Sequence, residues 1–100
     1  MINHPAQEII DGPQGGLETI VLPAVGETRG IAVIAHPNPT QGGTNTNKVV
    51  QMLAKIASRQ GYVAYCPNLR GVGSSAGVHD RGIGEVEDVL AVLAFARARH

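Results

Sequence analysis

The stretch Gly30-Ile31-Ala32-Val33-Ile34-Ala35-His36-Pro37-Asn38-Pro39-Thr40-Gln41-Gly42-Gly43-Thr44 decides how the chain is read. The run over 31–35 is apolar at every position instead of alternating. That pattern predicts a central strand of an α/β sheet, covered on both faces by helices. The run leads straight into a loop constrained by two prolines and two glycines, a kind of segment that aims backbone amides. At the C-terminal end of a parallel strand, such a loop sits where open α/β sheets bind and transform ligands.

Before the strand, Glu8-Ile9-Ile10-Asp11 and Leu17-Glu18-Thr19-Ile20-Val21-Leu22 are short β-type runs separated by Gly12-Pro13-Gln14-Gly15-Gly16, which predicts a hairpin. After it, from about residue 46 to residue 60, Val49, Val50, Met52, Leu53, Ile56 and Ala57 recur at helical spacing. Thr44 or Thr46 can cap the start of this helix, and Gly61 suits a left-handed C-terminal cap. Tyr62-Val63-Ala64-Tyr65-Cys66 reads as another strand, ended by Pro67. Residues 68–82 are rich in glycine and hold little that could pack, so they are expected to form a long functional loop or a partly ordered one. Ile83, Val86, Val89, Leu90 and Leu93 then line one face of a second helix. Its charges, Glu85, Glu87 and Asp88 early and Arg97 and Arg99 late, match the helix dipole.

The order hairpin, strand, helix, strand, helix contains no internal repeat and no dividing linker, so residues 1–100 are expected to form one α/β domain. A right-handed crossover makes the strands over 31–35 and 62–66 parallel and brings the two glycine-rich loops to one edge of the sheet, facing each other. With hydrophobic residues at 43% and charged residues at 16%, an ordinary globular core is expected and disorder is not. The formal net charge is zero with both signs interspersed, so neither nucleic acid nor an anionic membrane is an expected partner. Met1-Ile2-Asn3-His4-Pro5 lacks the basic segment and apolar run of a signal peptide, and no apolar stretch approaches spanning length, which predicts a cytoplasmic location. The single cysteine, Cys66, cannot form an internal disulfide and fits a reducing compartment.

Five blocks in order resemble a known superfamily: His36-Pro37-Asn38-Pro39; Gly42-Gly43-Thr44; Asn47-Lys48-Val49-Val50; Asn68-Leu69-Arg70-Gly71-Val72-Gly73-Ser74-Ser75; and the spaced set Asp80, Gly82, Gly84, Glu85, Asp88. Together they look like the opening of the α/β-hydrolase fold, in a group of small bacterial hydrolases related to dienelactone hydrolase. The resemblance spans nearly the whole chain. It implies an antiparallel hairpin, then strand, helix, strand and helix in a mostly parallel sheet with helices on both faces.

The chemistry implied is acyl-transfer hydrolysis of carboxylic esters or related acyl substrates. A serine on a sharp strand-to-helix turn attacks, a histidine activates it and an acid orients the histidine. In such proteins the Gly-x-Ser-x-Gly strand follows the second helix, and no such motif occurs here up to His100. Ser58, Ser74 and Ser75 do not match the nucleophile position. The chain therefore looks like the N-terminal portion of a hydrolase, a partial domain ending before the nucleophile elbow and inactive alone, whether a truncation, a split frame or a remnant.

One catalytic element is expected within it. Pro37 and Pro39 have no N–H, which leaves the Asn38 amide as the oxyanion donor, with Gly42 and Gly43 letting the chain turn closely above the site. Two prolines around one amide favour this over a plain tight turn. His36, at the strand end, fits a loop anchor better than a general base. Arg70 could bind a substrate carboxylate, although a salt bridge that shapes the loop is the favoured role. Gly71, Gly73 and Ser75 are expected to serve the turn on the substrate side.

Three rivals are weaker. Gly71-Val72-Gly73-Ser74-Ser75-Ala76-Gly77 follows a strand like a dinucleotide-binding fingerprint, but no helix begins at those glycines and no acidic strand end follows about twenty residues on. Cys66 paired with His36 as a nucleophile is less plausible than Cys66 as inert packing. His79-Asp80 with His36 lacks zinc-ligand spacing, so neither a metal nor a cofactor is expected.

A function of another class stays open: a non-catalytic interaction protein or fold remnant. If the strand order follows the fold, the 31–35 strand has one unpartnered edge and each helix leaves apolar area uncovered. Self-association through that edge is then expected.

Overall fold

The computed structural model describes residues 6–36, 43–80 and 82–100. Strands β1 (Ala6–Gly12) and β2 (Gly15–Leu22) form the expected hairpin, closed at Gly12 opposite Gly15. They are followed by β3 (Gly30–Val33), α1 (Lys48–Arg59), β4 (Tyr62–Pro67) and α2 (Ile83–Arg99). The sheet order is β1-β2-β4-β3, with β2 antiparallel and β3 parallel to β4.

The apolar run over 31–35 is therefore not central among the described residues. Its strand is shorter, Gly30–Val33, and forms the edge of the sheet. Its composition reflects cover on its faces, not a neighbour on each side. Ile31 and Val33 pack on the core beneath α2, and Ile34 on the core beneath α1.

Alternation along β4 divides the interior into two layers. Val63 and Tyr65 join Ile10, Leu17, Val21, Val92 and Ala96 on one face, while Ala64 and Cys66 join Val50 and Ala54 on the other. Ile10, Leu17 and Val92 are almost wholly buried, each contributing about 1.5–3 kcal/mol of burial. The helices thus lie on opposite faces of the sheet, as expected.

Helix α1 starts one residue beyond a cap that neither candidate threonine supplies. The Asn47 side chain accepts from the amides of Val49 and Val50 at 2.9 and 3.4 Å, and Thr44 and Thr46 instead share a hydroxyl contact of 2.8 Å. At the other end Gly61 takes φ +93° and donates to the Ser58 carbonyl, the left-handed exit predicted for it.

The faces of both helices correct the sequence expectation. In α1 the buried residues are Val50, Ala54 and Ser58, whereas Val49, Met52, Leu53 and Ile56 are exposed. In α2 the buried residues are Gly84, Glu85, Asp88, Val92 and Ala96, while Ile83, Val86 and Leu90 face outward. Periodicity located each apolar stripe, but α2 turns its polar side to the loop before it because that loop carries the complementary charges.

Candidate functional site

Parallel pairing of β3 and β4 places the segments after both strands at the same edge of the sheet. They are joined there: the Leu69 amide donates to His36 Nε2 at 3.0 Å, with His36 only 8% exposed. An accepting Nε2 requires the neutral ring with its proton on Nδ1. His36 is therefore a loop anchor, the role its position suggested. Asn45 makes the second tie. Its amide donates to Asn68 Oδ1 at 2.7 Å, its side chain donates to the Cys66 carbonyl at 2.9 Å, and its own carbonyl accepts from Gln51.

Asn38 and Gly42, with Pro37 and Pro39, lie outside the described residues. Gly43 is described and buried. The segment after β3 is thus anchored on both sides of the expected oxyanion donor, by His36 before it and Asn45 after it, and both anchors lead to the segment after β4.

That second segment, expected to hold little that packs, is a closed polar network with Leu69 and Val72 buried beneath it. Ser75 Oγ donates to the Asn68 carbonyl and accepts from the Glu18 amide at 2.8 Å. Glu18 Oε1 accepts from Asn68 Nδ2 at 2.8 Å and from the Ser74 amide at 3.1 Å. These two donors hold the Glu18 carboxyl below its ordinary range, the Ser74 amide first and Asn68 second. Gly71 and Gly73 are exposed turn residues in the left-handed region, φ +77° and +56°. A Cβ on Gly71 would stand 2.9 Å from the His79 amide nitrogen, so glycine is needed there.

Arg70 is buried and donates three hydrogen bonds to Asp88: amide to Oδ2 at 2.9 Å, Nε to Oδ2 at 3.0 Å and Nη2 to Oδ1 at 2.9 Å. The bond to Asp88 raises the guanidinium above its ordinary value. The fork of Arg70 is thus turned into α2, where it holds the loop to Asp88.

Glu85 closes the segment onto α2. It accepts from the amides of Asp80 at 2.7 Å and Gly82 at 3.0 Å, and His79 Nδ1 stands 2.7 Å from Oε2 outside hydrogen-bond geometry. Burial pushes the Glu85 carboxyl up, but those amides and His79 outweigh it and the net direction is down. Asp80 in turn accepts from the Gly84 amide at 3.1 Å.

No serine among the described residues is hydrogen-bonded to a histidine. Ser75 is tied to backbone groups, Ser58 Oγ donates to the Pro23 carbonyl at 2.6 Å, and Ser74 is exposed with its amide on Glu18. Burial pushes the Cys66 thiol up to about 11, which disfavours the thiolate a nucleophile needs. No group of three or more His, Cys, Asp or Glu among the described residues could hold a metal ion, and no described helix is long and apolar enough to cross a membrane. No helix starts at Gly71 or Gly73, since α2 begins at Ile83, which removes the dinucleotide geometry.

Sequence reasoning reached His36, Arg70 and Ser75 but missed Glu18, Asn45 and Asn68 as the residues that connect the loops. Asn45, between two capping candidates, and Glu18, within an alternating strand, carried no pattern to mark them.

No family model matches the chain. It is 40% identical over 87 residues to an uncharacterized protein of Rickettsia prowazekii, covering 87% of this chain and 37% of that protein. Among solved structures it is similar to an α/β serine hydrolase homologue from Coxiella burnetii, with TM-score 0.90, 39% identity and coverage of 99% of this chain and 48% of that one. It is also similar to a lidless α/β serine hydrolase member from Xanthomonas campestris, with TM-score 0.88, 38% identity and coverage of 99% and 47%. The chain thus spans less than half the length of these relatives. Its mixed sheet and two helices have the architecture of the N-terminal part of an α/β-hydrolase fold.

Proposed function

We propose that this chain forms the oxyanion-loop portion of a serine hydrolase acting on carboxylic esters or related acyl substrates, of the dienelactone-hydrolase-like kind. Its nucleophile, catalytic acid and catalytic histidine lie outside residues 1–100. The Asn38 amide is the oxyanion donor, and the lone, buried Cys66 suits a reducing, cytoplasmic setting. The observation that carries this reading is the double anchoring of the Asn38 segment, His36 to Leu69 and Asn45 to Asn68, in a chain 38–39% identical to serine hydrolase homologues. A preorganised amide needs such rigid flanks, because an oxyanion donor acts without reorganising during the reaction.

The purified chain, incubated with short-chain nitrophenyl esters and a fluorophosphonate probe, is expected to give neither turnover nor labelling. Labelling at Ser74 or Ser75 contradicts the assignment. Among the described residues no strand lies beside the outer edge of β3, which favours a second reading, a non-catalytic module that works through association. Unlike the first, it predicts that no added hydrolase portion restores labelling.

A further inference from the structure

We propose that Glu18, on β2, is a positioning residue for the oxyanion segment: its carboxylate fixes the Asn68 side-chain amide, and Asn68 in turn fixes Asn45 and so the residues between His36 and Asn45. The catalytic consequence rests on the hydrolytic reading above. The relay itself rests on geometry alone.

The three residues belong to three separate parts of the chain: Glu18 lies in β2, Asn68 directly after β4 and Asn45 before α1. Asn68 Nδ2 donates to Glu18 Oε1 at 2.8 Å, and Asn68 Oδ1 accepts from the Asn45 amide at 2.7 Å. An ionised carboxylate has acceptors and no donor, so it takes the NH2 end of the Asn68 amide and leaves the oxygen for Asn45. The reversed amide would set its NH2 against the Asn45 N–H and its oxygen against the carboxylate. Asn45 and Asn68 are 3% and 5% exposed, so little water competes for either bond.

Asn45 carries the constraint onward. Its side chain is held by the Cys66 carbonyl of β4 and its carbonyl by Gln51 of α1, while its amide reaches Asn68. A displacement of about 1 Å at a reacting geometry can cost on the order of 100-fold in rate, so a carboxylate remote from the chemistry has leverage on it.

The backbone is shaped to admit this carboxylate. Gly73 takes φ +56°, and a Cβ there would stand 2.5 Å from Glu18 Oε1 and 2.8 Å from Asn68 Nδ2. A side chain at 73 would separate the pair, so glycine serves the close approach as well as the turn. The Glu18 backbone holds the same segment: its carbonyl accepts from the Asn68 amide at 2.7 Å and its amide donates to Ser75 Oγ at 2.8 Å. Those two bonds set the point from which the carboxylate reaches.

The first readout is amide hydrogen exchange on the 100-residue chain. Glu18→Ala is expected to speed exchange at Asn45 and Ser74 and to leave the Arg70 amide, held by Asp88, protected. Both bonds to the carboxylate end on Oε1, so Glu18→Gln, which keeps an acceptor oxygen, is expected to restore protection at Asn45. Gly73→Ala wedges a methyl between the carboxylate and Asn68 without removing either. It is expected to expose Asn45 likewise, and carries the test where alanine at 18 unfolds the chain. The double variant Glu18→Ala, Asn68→Ala is expected to be no worse at Asn45 than Asn68→Ala alone.

The second readout is nitrophenyl ester turnover by residues 1–100 joined to the remainder of the Coxiella burnetii homologue. There Glu18→Ala is expected to lower kcat about 10- to 100-fold with KM unchanged, and Glu18→Gln to recover most of it. An Asn45 amide indifferent to both Glu18→Ala and Gly73→Ala overturns the proposal. So does a folded variant that loses protection uniformly, Arg70 included, and so does an active chimera whose kcat ignores Glu18→Ala. A chimera with no turnover contradicts the hydrolytic reading instead, and the Asn45 amide then decides the relay by itself.

Discussion

Arg70 and Asp88, eighteen residues apart, form a buried ion pair in which the backbone amide, Nε and Nη2 of the arginine all donate to one carboxylate. The pair fixes the segment after β4 to the first turns of α2. Through Leu69, the neighbour of Arg70, it also fixes the His36 ring at the end of β3. Asp88→Ala leaves the arginine buried without its partner, a change that typically costs about 3–5 kcal/mol. Urea unfolding followed by circular dichroism is expected to show a loss of that order. By contrast, Glu8→Gln, which breaks the exposed pair with Arg99, is expected to leave the midpoint unmoved.

Acid should loosen the same region first. Glu85 and Glu18 both have folded pKa values below the ordinary 4.5. A carboxyl lowered on folding stabilises the folded state when ionised. The contribution is complete above about 4.5 and is lost as pH falls through the lowered folded value. The urea midpoint of the wild type is expected to drop as pH falls below about 4.5. The double variant Glu18→Gln, Glu85→Gln is expected to start lower and to vary less over that interval.

Asn47→Ala removes the acceptor that caps α1 and is expected to cost about 1 kcal/mol. Thr46→Ala, at a position whose hydroxyl meets that of Thr44 and not the helix amides, is expected to change the midpoint by much less. Equal effects would return the cap to the threonine.

Cys66 is fully buried and its thiol is pushed up to about 11. Ellman's reagent at neutral pH is expected to leave the native chain unmodified and to titrate one thiol once urea unfolds it. Rapid native modification would contradict the packing beneath α1.

The elements of the fold were legible in local pattern. Glycine and proline punctuated the hairpin, the helical stripe over 49–57 marked α1, and Gly61 marked its exit. What pattern could not supply was the direction each stripe faces. Ile83, Val86 and Leu90 recur at core spacing yet point outward. Glu85 and Asp88, whose place at the start of the helix matched its dipole, point inward because Arg70 and the amides of Asp80 and Gly82 meet them. Side-chain pairing across eighteen residues leaves no trace in hydrophobic periodicity. The same holds for the site: His36 announced itself at a strand end, whereas Asn45 and Glu18 act only through partners that the folded chain brings near.

The most direct measurement joins this chain to the portion it is proposed to serve. Residues 1–100 replace the matching segment of the Coxiella burnetii homologue, and nitrophenyl ester turnover is compared with and without Asn38→Pro, which deletes the proposed oxyanion amide. The prediction is that the chimera is labelled by fluorophosphonate and turns over ester, and that the proline variant is still labelled but loses roughly 100- to 1,000-fold in kcat. Unchanged turnover in the proline variant would contradict the assignment of Asn38.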